Sequence, residues 1–170
     1  MRLTLSFILI SVACFGQNVQ VNLNLQSVAI MDIEPNSSAF DLSVNNPSDA
    51  GESVQVSTNN SKWINFSSAV LPGVSRSVRA ELSGGAINGL DLTLTALSYS
   101  GTGAGTLGSS SGQVVLNGSP QTIIDNIGGA YTGEGVNNGY NLSYSLSVSD
   151  FTVLRSESKT LTVLFTMIDN

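Results

Sequence analysis

The residues able to do covalent chemistry are few. The chain has no histidine, and its one cysteine is Cys14. Without an imidazole, Ser-His-Asp and Cys-His catalysis, histidine-based zinc sites and most general-base schemes drop out. Carboxylates remain. Asp32 and Glu34 stand two apart, on one face of any strand, and Asp49 and Glu52 share a loop. Glycoside hydrolysis needs two carboxyl groups converging across a sugar, but these acids are dispersed and lack aromatic surroundings. The loop Asn45 to Glu52 has oxygen ligands of the kind that suit calcium; it lacks the EF-hand spacing, and a solvated turn explains it better. "GAGTLG" (103–108) matches a dinucleotide fingerprint in letters only. That fingerprint must open a helix whose N-terminus holds the pyrophosphate, whereas "SSSGQVV" follows here. No catalytic, cofactor-binding or metal-ligating residue is assigned, no cofactor is expected, and the chain reads as a non-enzyme.

One aromatic is a candidate ligand contact. In "KWINF" (62–66), Trp63 lies opposite Ile64 and Phe66. If those two face a core, Trp63 faces out and can stack on a sugar or a partner. A reversed register, or a covering element, would bury it instead.

What positions these residues is a chain that alternates apolar and polar positions with period two, the mark of half-buried strands. "YNLSYSLSVS" (140–149) directs Tyr140, Leu142, Tyr144, Leu146 and Val148 to one face. "VQVNLNL" (19–25) does the same with Val19, Val21, Leu23 and Leu25, and "FDLSV" with Phe40, Leu42 and Val44. Further strands are expected at 53–58, 62–67, 77–82, 90–97, 113–117 and 121–125. A phase shift near Gln26-Ser27 suggests a bend or bulge. Residues 100–112 and 128–139 read as flexible loops, being rich in Gly, Ser and Asn. The last strand places Leu161, Val163, Phe165 and Met167 on one side. About ten short strands with no 3.6-residue periodicity predict an all-β fold, an antiparallel β-sandwich of Ig-like or jelly-roll type.

Residues 1–16 read as a secretory signal peptide, with Met1-Arg2 ahead of an apolar run too short to span a bilayer. Cleavage is expected after Gly16, leaving 154 of the 170 residues as one sandwich domain, 17–170. Lipid anchoring at Cys14 is the alternative, although Ser11 stands where a lipoprotein box has a large aliphatic residue. Losing Arg2 takes the six basic residues to five against twelve acidic, a net charge of −7. Such a surface repels nucleic acid and anionic membranes. No later segment is long and apolar enough to cross a membrane, and the mature chain would hold no disulfide.

The expected leader, the alternating N-terminal segment, the Ser/Thr/Gly/Asn-rich strands and the ending "SKTLTVLFTMIDN" (158–170) resemble small bacterial surface β-sandwich proteins of the fimbrial subunit and spore-coat-protein-U-like kind. The resemblance implies an extracellular, cell-surface structural or adhesive subunit that joins copies of itself or related subunits by β-strand addition. Val19, Val21, Leu23 and Leu25 would form the donor strand, and Leu161, Val163, Phe165 and Met167 the acceptor edge; the alternative is that the same N-terminal strand completes its own sandwich. The chain departs from many such subunits in lacking a cysteine pair. A carbohydrate-binding module, using Trp63 and Tyr99 on glycans or a host surface, is the alternative.

Intact-mass measurement on exported protein is expected to match residues 17–170. A lipid-modified Cys14 would overturn that boundary.

Overall fold

A computed structural model describes residues 17–170; residues 1–16, where a leader is expected, and Cys14 among them, lie outside the described residues. In chain order the strands are β1 (Val28–Glu34), β2 (Val44–Asn45), β3 (Gln55–Val56), β4 (Thr58–Ala69), β5 (Arg76–Ser83), β6 (Leu90–Ala96) and β7 (Ala104–Gly105). There follow β8 (Ser109–Ser110), β9 (Gln113–Val115), β10 (Gln121–Ile127), β11 (Ala130–Tyr131), β12 (Tyr140–Val148) and β13 (Thr162–Asp169). There is no helix among the described residues. The fold is an all-β sandwich.

One sheet is built on β4. Its partners are β1 across Trp63–Ala69, β12 across Thr58–Ile64 and β11 at Ser67-Ser68. Beyond β12 come β6 and β9, and beyond β11 comes β7. The second sheet runs β13-β5-β10-β8, and β2 with β3 forms a small separate ladder. All pairs are antiparallel.

Alternation explains which residues meet between the sheets. Ile64 and Phe66 of β4, Leu142 and Tyr144 of β12 and Leu94 of β6 are buried from one side. Val78 and Ala80 of β5 and Ile124 and Ile127 of β10 are buried from the other. Burying each large apolar side chain stabilises by roughly 1.5–3 kcal/mol.

Three expected features differ. Residues 19–25 carry the strand pattern but form no strand, and the bend expected at Gln26-Ser27 is where the unpaired segment ends and β1 begins. In "FDLSV" only Val44 is paired. Phe40 and Leu42 nonetheless pack on the core, with the Phe40 ring 4.7 Å from that of Tyr144. Residues 100–112 and 128–139 are not loose loops. They contain β7, β8 and β11, and they cross closely enough that a Cβ on Gly105 (φ 97°) would strike the Gly129 carbonyl.

The core tyrosines are tied into this crossing. The Tyr140 hydroxyl donates to the Leu107 carbonyl at 3.0 Å, and its ring meets Tyr99 edge-on at 5.9 Å. Burial, with a smaller contribution from Tyr99, pushes the Tyr140 hydroxyl up to about 12. Burial also raises Tyr144. A raised folded-state value stabilises fully below the ordinary tyrosine range near 10, and that stabilisation is lost as pH rises through it. Phenolate absorbance is therefore expected to show these two tyrosines titrating late and together with loss of near-UV dichroism above about pH 10. Early, independent titration of all four tyrosines would contradict the buried placement.

Candidate functional site

The site begins with what is unpaired. Val19, Val21, Leu23 and Leu25 are 87%, 73%, 92% and 85% exposed. Isolated exposed apolar residues are ordinary, but four in alternation on one extended segment form an apolar stripe. Residues 17–27 thus form an arm that leads into β1 without a ladder partner among the described residues.

The root of the arm is held by Arg76. Its phase is that of Val78, Ala80 and Leu82, so the pleat of β5 turns its side chain toward the interior, where it is buried. Its guanidinium donates to the Val28 carbonyl, to Ser27 Oγ at 2.7 Å, to Ser68 Oγ at 3.2 Å and to the Ala69 carbonyl at 3.4 Å. Nε pairs with Asp169 Oδ1 at 2.6 Å. A buried cation is tolerable only when its donors are paired, and these partners come from the start of β1, the end of β4 and the end of β13.

The second unpaired feature is β13. It pairs with β5 from Thr162↔Ser83 to Asp169↔Arg76 and ends its sheet, so the backbone on its other side has no ladder partner among the described residues. Val163, Phe165 and Met167 pack against the core but stay only half-buried, and Leu164 on the opposite face is 49% exposed. Leu161, just before the strand, lines a cavity of about 120 Å³ with Leu82, Leu90, Leu92 and Leu146.

Edges recruit strands unless they are short, charged or proline-bearing. β7 and β8 have two residues each and β9 three. β1 also pairs on one side only, but it carries Asp32 and Glu34 and is followed by Pro35. β13 has eight residues, and its only charge, Asp169, is paired with Arg76. It is the least protected long edge.

The other candidates are placed as follows. Trp63 is half-buried and stands cross-strand from Glu34 and Asn141, while Ile64 and Phe66 face the core. Tyr99 is no platform: its hydroxyl accepts from the Gly103 N–H at 2.6 Å and donates to the Thr132 carbonyl at 3.1 Å. In the loop Asn45–Glu52, the Glu52 carboxylate accepts from Ser48 Oγ at 2.7 Å and the Asp49 N–H at 3.2 Å. The Ser48 bond chiefly, then the Asp49 bond, lowers its pKa, as expected of a carboxylate closing a turn. Asp32 and Glu34 line a shallow depression with Asn65 and Glu134. No group of three or more His, Cys, Asp or Glu residues able to hold a metal ion occurs among the described residues.

No known family model matches the chain, and neither a curated protein nor a solved structure does.

Replacing Arg76 with alanine would leave the Val28 and Ala69 carbonyls without their shared donor, and it is expected to cost about 3 kcal/mol in denaturant unfolding. Asp169→Asn, which keeps a hydrogen-bonding oxygen, is expected to cost about 1 kcal/mol. Equal, negligible effects would show that the guanidinium does not hold the two strand ends.

Proposed function

We propose that the protein is a secreted bacterial cell-surface subunit, structural or adhesive, that assembles into a pilin-like filament by β-strand addition. The observation that carries this reading is the coexistence in one chain of an unpaired apolar arm and an unpaired apolar edge. Each lacks what the other supplies. Among the described residues the arm lacks a ladder and a cover for Val19, Val21, Leu23 and Leu25, and β13 lacks a second neighbour and leaves Val163, Phe165 and Met167 half-covered. Burying four arm side chains gains roughly 6–12 kcal/mol. Association costs an estimated 4–15 kcal/mol, so a stable joint also needs the backbone ladder that β13 offers. The partner is a copy of the chain or a related subunit. Nucleic acid and the membrane interior have no part in this reading, and neither does an enzymatic reaction.

The glycan-binding alternative has weaker support. Of its two aromatics, Tyr99 is committed to internal hydrogen bonds and Trp63 is only half open to solvent.

Leu23→Asp separates joint from fold. Leu23 is 92% exposed in the subunit, so the change should alter subunit stability by less than about 0.5 kcal/mol. It should nevertheless abolish the high-molecular-weight species seen by light scattering and electron microscopy, because a buried unpaired charge is not tolerated in a joint. A wild-type protein that stays monomeric at high concentration, with no filament on cells, would reject the reading.

A further inference from the structure

The sequence holds three Asn-Gly pairs, Asn88-Gly89, Asn117-Gly118 and Asn138-Gly139. Such a pair can modify itself. The glycine amide nitrogen attacks the asparagine side-chain carbonyl carbon, and a succinimide ring closes. The reaction is intramolecular, so its rate depends on whether the fold holds the two groups within reach and leaves both free. The three pairs differ in that respect.

Asn138-Gly139 is locked. Asn138 Nδ2 donates to the Glu134 carbonyl at 2.7 Å, and its Oδ1 accepts from the Thr102 N–H at 3.1 Å. The Gly139 N–H, whose nitrogen would have to attack, donates to the Ser100 carbonyl at 2.8 Å. Asn88-Gly89 is boxed in. Gly89 is buried, with the Asp150 carbonyl and the Leu154 backbone crowding its Cα. Its own carbonyl accepts from the Ser149 N–H at 2.9 Å. That turn has no room to swing its nitrogen toward the side chain.

Asn117-Gly118 is open. It lies in the connection that carries the chain from β9 in one sheet to β10 in the other, and residues 117–120 are all exposed. Nothing stands within 4 Å of where a Gly118 Cβ would sit, and the Gly118 N–H has no backbone acceptor among the described residues. The Ser119 N–H donates to Asn117 Oδ1 at 2.8 Å. That donor already faces the oxygen on which negative charge collects as the ring closes.

We propose that Asn117 is a self-modification site, where the folded protein converts its own asparagine through a succinimide into isoaspartate and aspartate. In the first step the bond from Gly118 N to Asn117 Cγ forms and the Cγ–Nδ2 bond breaks. The side-chain nitrogen leaves as ammonia, carrying the proton that the Gly118 nitrogen gives up. In the second step water opens the ring. Cleavage between Gly118 N and Cγ gives aspartate. Cleavage between Gly118 N and the Asn117 backbone carbonyl carbon gives isoaspartate, whose chain runs on through Cγ. Nothing is oxidised or reduced, and solvent water is the only co-reactant.

The isoaspartate outcome matters because of what the Asn117 carbonyl does. It accepts from the Leu82 N–H of β5 at 2.8 Å, while the adjacent Leu116 N–H donates to the Leu92 carbonyl of β6 at 2.8 Å. Residues 116 and 117 thereby clip one sheet to the other, beside the apolar cavity that Asn117 lines with Leu82 and Leu92. In isoaspartate that carbonyl becomes part of a free carboxylate, and the main chain gains a carbon atom. A carboxylate must stay hydrated, so it draws the segment away from the leucines and releases the Leu82 N–H.

The test ages exported full-length protein in mildly alkaline buffer, beside the same chain unfolded in guanidinium chloride. Fragmentation mass spectra locate amide-to-acid conversion, and isoaspartyl methyltransferase labelling counts isoaspartate. Folded protein is expected to convert at Asn117 ahead of Asn88 and Asn138, whereas the unfolded chain converts at all three. Gly118→Ala, for which the turn has space, is expected to lose the Asn117 product over the same interval. The Leu82 amide is expected to lose its protection from deuterium exchange in the isoaspartate fraction. It should keep that protection in Asn117→Asp, which adds the charge on the side chain and leaves the backbone carbonyl in place. Conversion at Asn88 or Asn138 before Asn117, or one pattern shared by folded and unfolded protein, would overturn the site. Full Leu82 protection in isoaspartate-bearing protein would overturn the release of the clip.

Discussion

Arg76 is the interaction on which the open side of the sandwich depends. Toward the other end of β5 a backbone bond runs from the Leu82 N–H to the Asn117 carbonyl. Most of the contact between the two sheets is apolar, which is non-directional and fixes no end-to-end alignment. A buried guanidinium does, because its fork of donors has a fixed geometry. Through it, the beginning of β1, the end of β4 and the end of β13 meet at one point. Its cost is contained by the partners that surround it, and those partners include the residues where the arm begins.

From that point β1 and β13 run as the outer strands of different sheets, and the sandwich between them is only partly closed. Met31 and Ile33 on β1, like Val163, Phe165 and Met167 on β13, touch the core yet stay half-buried, while Ile64, Val78 and Ile124 deeper in are fully covered. The gradient is that of a layered structure short of one strand at its margin. β1 carries acidic side chains that discourage addition, whereas β13 spends its one charge internally. The asymmetry leaves β13 the less protected of the two margins.

Much of the architecture was legible because half-burial writes a period-two signal directly into the sequence. "YNLSYSLSVS" became β12 and the last apolar alternation became β13, with the expected faces inward. The same signal misled at Val19–Leu25 and at Phe40–Leu42. Alternation reports that one face seeks cover; it does not report that a backbone neighbour exists in the same chain. Arg76 was missed although a signal was present: in "RSVRAELS" it is in phase with Val78, Ala80 and Leu82, which marks an inward position. Tyr99 passed for a surface aromatic because nothing local announces a bond to Thr132, thirty-three residues away. The strands within 100–112 were hidden by composition, since Gly and Ser suit a loose loop and a close backbone crossing equally well.

That crossing bears on how the molecule tolerates change. Low-complexity, glycine-rich surface segments are the usual choice for grafting a foreign epitope or a reporter tag. Here the stretch around Gly105 is among the least forgiving on the surface, because the backbone of Gly129 occupies the space that any side chain would need. The acidic turn at Asn45–Glu52 is shorter and looks more ordered on paper. Gly51, at its tip, has nothing within 4 Å of where a Cβ would sit, and although its φ of 93° still calls for glycine, the chain beside it has room. The plainer loop is the better place to insert cargo, and the one that resembles a linker behaves as part of the frame.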